Sequence, residues 1–141
     1  MGQQQLLLLV LSTIIVGVSI VVGIGMFQDS AMNANIDTVT QQNVTIASQA
    51  SEWFNKSAAL GGGDGAFDGC TLEVLGYSTE GVNIDSSDVG AFTITTATGF
   101  DLVVRGDTAE QDDTGGIRRA TTNVLMDATG APTITTVVTA P

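Results

Sequence analysis

An uncharged apolar segment near the amino terminus constrains this chain more than any other feature. It runs from Leu6 to Phe27, contains 22 residues, and is interrupted by polar groups only at Ser12, Thr13 and Ser19. A helix of that length is about 33 Å long, close to the thickness of the hydrocarbon core of a bilayer. Because the segment is apolar on every side, it must be surrounded by lipid or by other apolar helices.

A cleaved secretory signal peptide is the alternative interpretation of this segment. Signal peptides usually begin with a basic region and have a shorter apolar core. Here the residues before Leu6 are Met-Gly-Gln-Gln-Gln, and only the amino terminus is charged. We therefore expect the segment to belong to the mature protein, with Met1 either the initiator or the first residue after a removed leader.

The helical pattern continues beyond the apolar segment but becomes amphipathic. The next apolar positions are spaced alternately by four and three residues, in a heptad pattern that Asn43 interrupts. These positions are Met32, Ile36, Val39, Asn43, Ile46, Ala50 and Trp53. No proline occurs before Pro132, and glycines return only at Gly61. The pattern predicts one helix over about residues 3–59, ended by the glycine-rich run 61–65.

The rest of the chain predicts a small antiparallel sheet. Candidate strands are 70–74, 91–96 and 100–105, the last two forming a hairpin, and 117–126 and 132–139 form a second pair across the turn 127–130. Such a sheet needs a helix over its apolar face, and Ile46, Ala50, Trp53 and Phe54 are the predicted cover. Cys70 is interpreted as a small buried residue at this junction.

The predicted fold class is therefore α+β, with a long amino-terminal helix packed on a small antiparallel head. Three segments follow from the pattern. Residues 1–28 form the apolar half of the helix, residues 29–60 its amphipathic half, and residues 61–141 the β head.

Composition excludes several classes of function. The chain has 15 acidic and four basic residues, a net charge of -11, no histidine and one cysteine. A zinc site of histidine and cysteine, or catalysis by a Ser-His-Asp or Cys-His arrangement, is out of reach. A nucleic-acid partner is disfavoured because clustered lysine and arginine are lacking. We expect neither enzymatic activity nor a cofactor.

Three smaller features have an ordinary interpretation that we prefer. The acidic residues Asp64, Asp68, Asp107, Asp112 and Asp113 include oxygen ligands suited to Ca²⁺, but their spacing does not match an EF-hand loop. We interpret them as solvated acidic turns, and predict no metal site. The sequons that begin at Asn43 and Asn55 fall on the predicted helix, so we interpret both as chance occurrences.

The order of these parts resembles a subunit of a type IV pilin-like filament. The residues that carry the resemblance are the start Met-Gly-Gln-Gln-Gln, the apolar run from Leu6 to Phe27, and the stretch from Trp53 to Lys56 that leads into Gly61-Gly62-Gly63. That stretch is similar to the junction of helix and head in short bacterial pilin-like proteins. Pilins usually carry glutamate at the fifth position and a helix-loosening proline near Val22. This chain has Gln5 and no proline there.

The resemblance implies polymerisation through the apolar half of the helix, with the acidic head outside. The partners implied are other copies of the chain, inner-membrane lipid before assembly, and the pilus assembly machinery. The residues expected at the assembly interface lie at the start and along the apolar half, namely Met1, Gln5, Leu6, Leu9, Val10, Thr13, Ile14, Val18, Val21, Val22 and Phe27.

Two other functions remain open on the sequence. One is a single-pass membrane anchor for an extracytoplasmic β domain, and the other is a pseudopilin of a secretion machine.

Twelve of the acidic residues and three arginines lie in residues 57–141. Such acidity suits a salt-rich habitat, because salt screens repulsion between neighbouring heads.

Overall fold

The chain folds as one long helix packed against a five-stranded antiparallel sheet, an α+β architecture, as predicted. The computed structural model describes residues 2–77, 83–86, 89–111 and 116–139. The helix α1 spans Gly2–Asn55, and a short 3-10 turn follows at Ala58–Leu60. The strands are β1 (Asn83–Ser86), β2 (Gly90–Thr98), β3 (Asp101–Gln111), β4 (Ile117–Met126) and β5 (Pro132–Thr139), and their order across the sheet is the order along the chain.

Four of the five strands lie where the alternating sequence pattern predicts them. The predicted strands 117–126 and 132–139 have these bounds in the structure, and Met126 lies opposite Pro132 in their hairpin. The predicted strands 91–96 and 100–105 also pair, but both extend further than expected. Their turn is formed by Gly99 and Phe100, whereas the sequence pattern places it at residues 97–99.

The candidate strand at residues 70–74 is wrong, and this segment forms turns instead. Its backbone bonds are local, from the Leu75 amide to the Thr71 carbonyl and from the Tyr77 amide to the Leu72 carbonyl. Cys70 and Leu72 are both buried and Thr71 between them is exposed, so burial alternates as in a strand. In the part of the chain that the structure describes, however, no strand pairs with this segment. The additional strand is β1, which the sequence pattern did not identify.

The helix ends at Asn55, four residues before the predicted end, because the glycine-rich run folds back onto its last turn. The Gly63 amide donates to the Trp53 carbonyl at 2.9 Å, and the Gly65 amide donates to the Phe54 carbonyl at 2.9 Å. These bonds satisfy carbonyls that a helix end otherwise leaves without partners. A side chain at Gly62 would collide with the Lys56 backbone. The glycines thus permit a close approach of backbone to backbone.

The buried face of the helix drifts along its length relative to the predicted heptad seam. Met32, Ile36 and Ile46 are buried as the heptad predicts, but at the end of the seam Phe54 is buried while Trp53 is only half-buried. An α-helix has 3.6 residues per turn, so a repeat of 3.5 loses its alignment by about 20° per heptad. Phe54 is therefore the last residue of the helix that is buried in the core.

Asn43 is buried completely and fastens the helix to the middle of the sheet. Its side-chain amide donates to the Ala120 carbonyl of β4 at 2.9 Å. Opposite it on β3 lies Gly106, where a Cβ atom would come within 2.6 Å of a Val39 methyl and 2.9 Å of the Asn43 Oδ1 atom. The helix and sheet approach so closely here that only glycine fits.

Replacing Gly106 with alanine is expected to lower the free energy of unfolding of the head by about 1–3 kcal/mol, the usual cost of overpacking a closed core. Denaturant unfolding in detergent measures the change through the fluorescence of Trp53, the one tryptophan of the chain. The control is Gly25→Ala, because a Cβ there meets nothing within 4 Å. Equal unfolding midpoints for the two variants would contradict the close approach.

Candidate functional site

The apolar half of α1 projects from the head with its side chains exposed. All the assembly residues predicted from Gln5 to Phe27 lie on this helix and are exposed, whereas Met1 lies outside the described residues. Val21 is 71% exposed and Phe27 is 76% exposed, values seen in soluble proteins only for scattered apolar side chains. By length and composition this helix can cross a membrane. A continuous apolar surface of this size needs lipid or other apolar helices around it.

The second half of the same helix joins this surface to the head. Among the predicted packing residues, Ile46, Ala50 and Phe54 are buried in the core. The Phe54 ring packs against Phe67, with centroids 4.9 Å apart. Trp53 lies at the edge of the core, and its indole nitrogen donates to the Gly61 carbonyl at 3.0 Å. These contacts span residues 46–54, about two helical turns, and hold the end of the helix against the head.

A small ionic cluster lies on the face of the sheet opposite the helix. The Arg119 Nε atom donates to Asp107 at 2.7 Å, and the Arg105 Nε atom donates to the same carboxylate at 3.1 Å. Among the described residues, every salt bridge uses Asp107. Partial burial opposes ionisation of Asp107, but the hydrogen bonds and charges of the two arginines outweigh it and lower the pKa of this carboxyl. Asp107 is thus paired with two arginines, whose positive charges oppose binding of a cation such as Ca²⁺ at this carboxylate.

The depressed pKa of Asp107 predicts a specific dependence of stability on pH. Its contribution is present above the pKa of the unfolded chain, about 4, and is lost as the pH falls through the lower pKa of the folded state. At pH 7 we expect Asp107→Asn to reduce the free energy of unfolding by about 1–2 kcal/mol, since the charge-assisted hydrogen bonds to two partly exposed arginines are weakened. Thermal melting from pH 7 to pH 2 should show the two proteins converging in acid. A constant difference across that range would contradict this role.

Two of the other acidic candidates lie in the turns that follow the helix. Asp64 is exposed in the turn after the helix, and Asp68 accepts a hydrogen bond from the Gly99 amide at 3.3 Å. Asp112 and Asp113 lie outside the described residues. Within the described part of the chain, no three histidine, cysteine, aspartate or glutamate residues gather closely enough to hold a metal ion.

The folded head encloses Cys70 and Asn43 but leaves Asn55 exposed. Cys70 is 2% exposed, and burial raises the pKa of its thiol to about 11, so the reactive thiolate is scarce at neutral pH. Asn43 is enclosed between helix and sheet and cannot accept a sugar in the folded state. Asn55 is exposed, and its amide donates to the Ser51 carbonyl one turn earlier.

Sequence reasoning missed two features that bear on function. The first is the pairing of Asn43 with Gly106 between helix and sheet, since the sequence pattern indicates only an interruption of the seam at Asn43. The second is the exposure of strand β5, on which Ile134, Val137 and Val138 are all exposed. An uncharged strand with so many branched apolar residues predicts burial, and only the sheet order shows that it lies at an edge.

The comparisons with known proteins add no family to this description. No protein-family model, curated protein or solved structure matches the chain.

Proposed function

We propose that this protein is the structural subunit of an extracellular, type IV pilus-like helical filament. The observation that carries the proposal is the exposed apolar half of α1, which continues without a break into a helix packed in an acidic head. Before assembly, inner-membrane lipid surrounds the apolar half. In the filament, the apolar halves of neighbouring copies replace that lipid and form a core, with the heads outside.

The exchange of lipid for protein explains how such a chain polymerises. Moving an apolar helix from lipid to a bundle of apolar helices changes its burial little, so close packing and small residues drive association. Gly17, Gly23 and Gly25 lie in this half, and a Cβ at any of them meets nothing within 4 Å in the single chain. These positions are therefore open to close approach by neighbouring helices. The proposal includes the pilus assembly machinery as the partner that moves each copy from the membrane into the filament.

Microscopy of native material tests the proposal directly. Cell-surface material is sheared, cleared of membranes by density centrifugation, and imaged by negative stain. We expect filaments several nanometres wide that contain this chain, and helical reconstruction should place residues 6–27 in the filament core. Recovery of the chain only in the membrane fraction would overturn the proposal and favour the single-pass anchor. Short assemblies that stay with a secretion complex would favour the pseudopilin.

Gln5 provides a further prediction about assembly. Pilins usually carry glutamate at this position, which pairs with the amino terminus of a neighbour, whereas the glutamine amide can hydrogen-bond but cannot neutralise an ammonium group. Assembly here should rely on packing, so we expect Gln5→Ala to reduce filament yield only modestly. Quantitative blotting of sheared filaments measures the effect, with Gln4→Ala as the matched control. Complete loss of filaments in the Gln5 variant alone would show that this contact is essential.

A further inference from the structure

The helix-facing side of the sheet is covered unevenly. Next to β2, the segment 61–77 covers the sheet, and its residues Phe67, Cys70 and Leu72 are buried in the core. Tyr77, at the end of that segment, donates its hydroxyl to the Gln49 side chain of the helix at 2.6 Å. In the described part of the chain, no comparable segment covers the other side of the helix, next to β5. The apolar face of the sheet is therefore open along that edge.

Three residues of β5 lie on this open part of the face. Ile134 is opposite Val124, Thr136 is opposite Thr122, and Val138 is opposite Ala120. Directly opposed residues in a sheet share a face, and these β4 partners are completely buried. Nevertheless, Ile134 is 37% exposed and Val138 is 49% exposed. We call Ile134, Thr136, Val138 and the outer backbone edge of β5 the β5 strip.

The side of the helix nearest this strip carries a row of uncharged side chains. Val44, Ser48, Ser51 and Asn55 are spaced as one row on a helix, and Asn55 lies beside the β4–β5 turn, 3.0 Å from where Gly130 would carry a Cβ. Val44 in this row is 39% exposed. The row is made of small or uncharged side chains, so another backbone can approach closely.

Charge distribution indicates what covers the β5 strip and this row of the helix. Residues 38–51 of the helix and residues 128–139 around β5 contain no charged side chain, although the whole chain has a net charge of -11. Two such acidic heads repel each other over most of their surfaces. They can approach most easily where both lack charge, whereas a basic partner would be drawn to the acidic surfaces instead.

We propose that the β5 strip docks against the head of a second copy of this chain, so that neighbouring heads contact each other along the filament. The inference rests on the proposed filament, which brings the heads side by side. An edge strand with a free backbone and branched apolar side chains is a ready template for another chain. No lysine or other charge on β5 opposes such pairing. The contact adds a second, uncharged interface to the packing of the apolar helices.

Lysine substitutions test the contact against a control of equal charge. The test variant is Ile134→Lys/Val138→Lys, and the control is Leu60→Lys/Val74→Lys, whose sites are exposed in the segment between the helix and the sheet. Both change the net charge from -11 to -9, which by itself reduces repulsion between heads. We expect the control to form filaments like the wild type and the test variant to lose at least about tenfold in sedimentable filament, because charges desolvated at an interface strongly oppose association. Equal sedimentation of the two variants would overturn the inference.

Labelling of single cysteines tests the contact without adding charge to the head. Val138→Cys and the control Val74→Cys are each made in a Cys70→Ala background, and a maleimide is applied to detergent-solubilised monomers and to filaments. In filaments relative to monomers, we expect labelling of the Val138→Cys variant to slow by at least about tenfold, with little change for the Val74→Cys variant, since a docked strand is closed to solvent. Equal labelling of position 138 in both states would overturn the contact and leave the filament intact. Failure of the wild-type chain to form any filament would overturn the proposed function itself, and the contact with it.

Discussion

Replacing Val18 or Val21 with aspartate is expected to abolish filament formation. Both residues lie in the exposed apolar half of α1, 60% and 71% exposed in the single chain. In the proposed filament they are enclosed by apolar side chains of neighbouring copies, where an unpaired carboxylate is very costly. A charged residue at the centre of an apolar span costs about 3 kcal/mol even in lipid. In the filament core the carboxylate has no route to water, so its cost there exceeds its cost in lipid, and the difference opposes each association step.

The controls for this experiment separate charge, packing and folding. Val18→Ala removes side-chain volume without adding charge, and Gln28→Asp adds the same charge just beyond the apolar run. We expect both controls to yield filaments in sheared fractions. Thermal melting of each variant in detergent should show an unchanged head, because the head packs on residues 32–54 of the helix. Filaments of normal length from Val18→Asp or Val21→Asp would contradict the proposed core.

Removing salt is expected to shorten the filaments and lower their melting temperature. Among the described residues, Asp107 is the sole acidic residue in a salt bridge, so most of the negative charge of the head is not neutralised by those bridges. At about 0.15 M salt the Debye length is about 8 Å, and adjacent acidic heads repel each other. In molar salt it falls to about 3 Å, and apolar association also strengthens in salting-out solutions. Salt thus favours the polymer in two ways, by screening repulsion between the heads and by strengthening apolar association.

Dialysis of purified filaments from molar to millimolar salt measures this dependence. Length is followed by electron microscopy and stability by thermal melting at each step. A parallel series in sucrose, which lacks charge, separates screening from general exclusion of the cosolute. Constant length and melting temperature across the salt series would refute the prediction of a salt-rich habitat. The filament proposal would be unaffected by that result.

Periodicity in the sequence determined the elements of this fold. The apolar run over residues 6–27 and the absence of proline before Pro132 are enough to predict one long helix, because a helix is decided by local spacing. Alternation predicted β4 and β5 with their bounds, since each strand is flanked by turn residues at Asp127–Ala131. Alternation also misplaced a strand at residues 70–74. A half-buried turn segment and a strand both present every second side chain to a core, and only a partner strand distinguishes them.

Tertiary structure alone decided how these elements fit together. Phe54 is buried more deeply than Trp53 because the buried face of the helix drifts relative to a heptad repeat. The drift within a single heptad is too small to be seen in the spacing. Asn43 and Gly106 are far apart in the sequence but meet between the helix and the sheet. This contact is why Asn43 is buried and why a side chain at position 106 would collide with its neighbours. The exposure of β5 likewise follows from its place at the edge of the sheet. Local propensity cannot determine these features, because each depends on a surface supplied by a distant part of the chain.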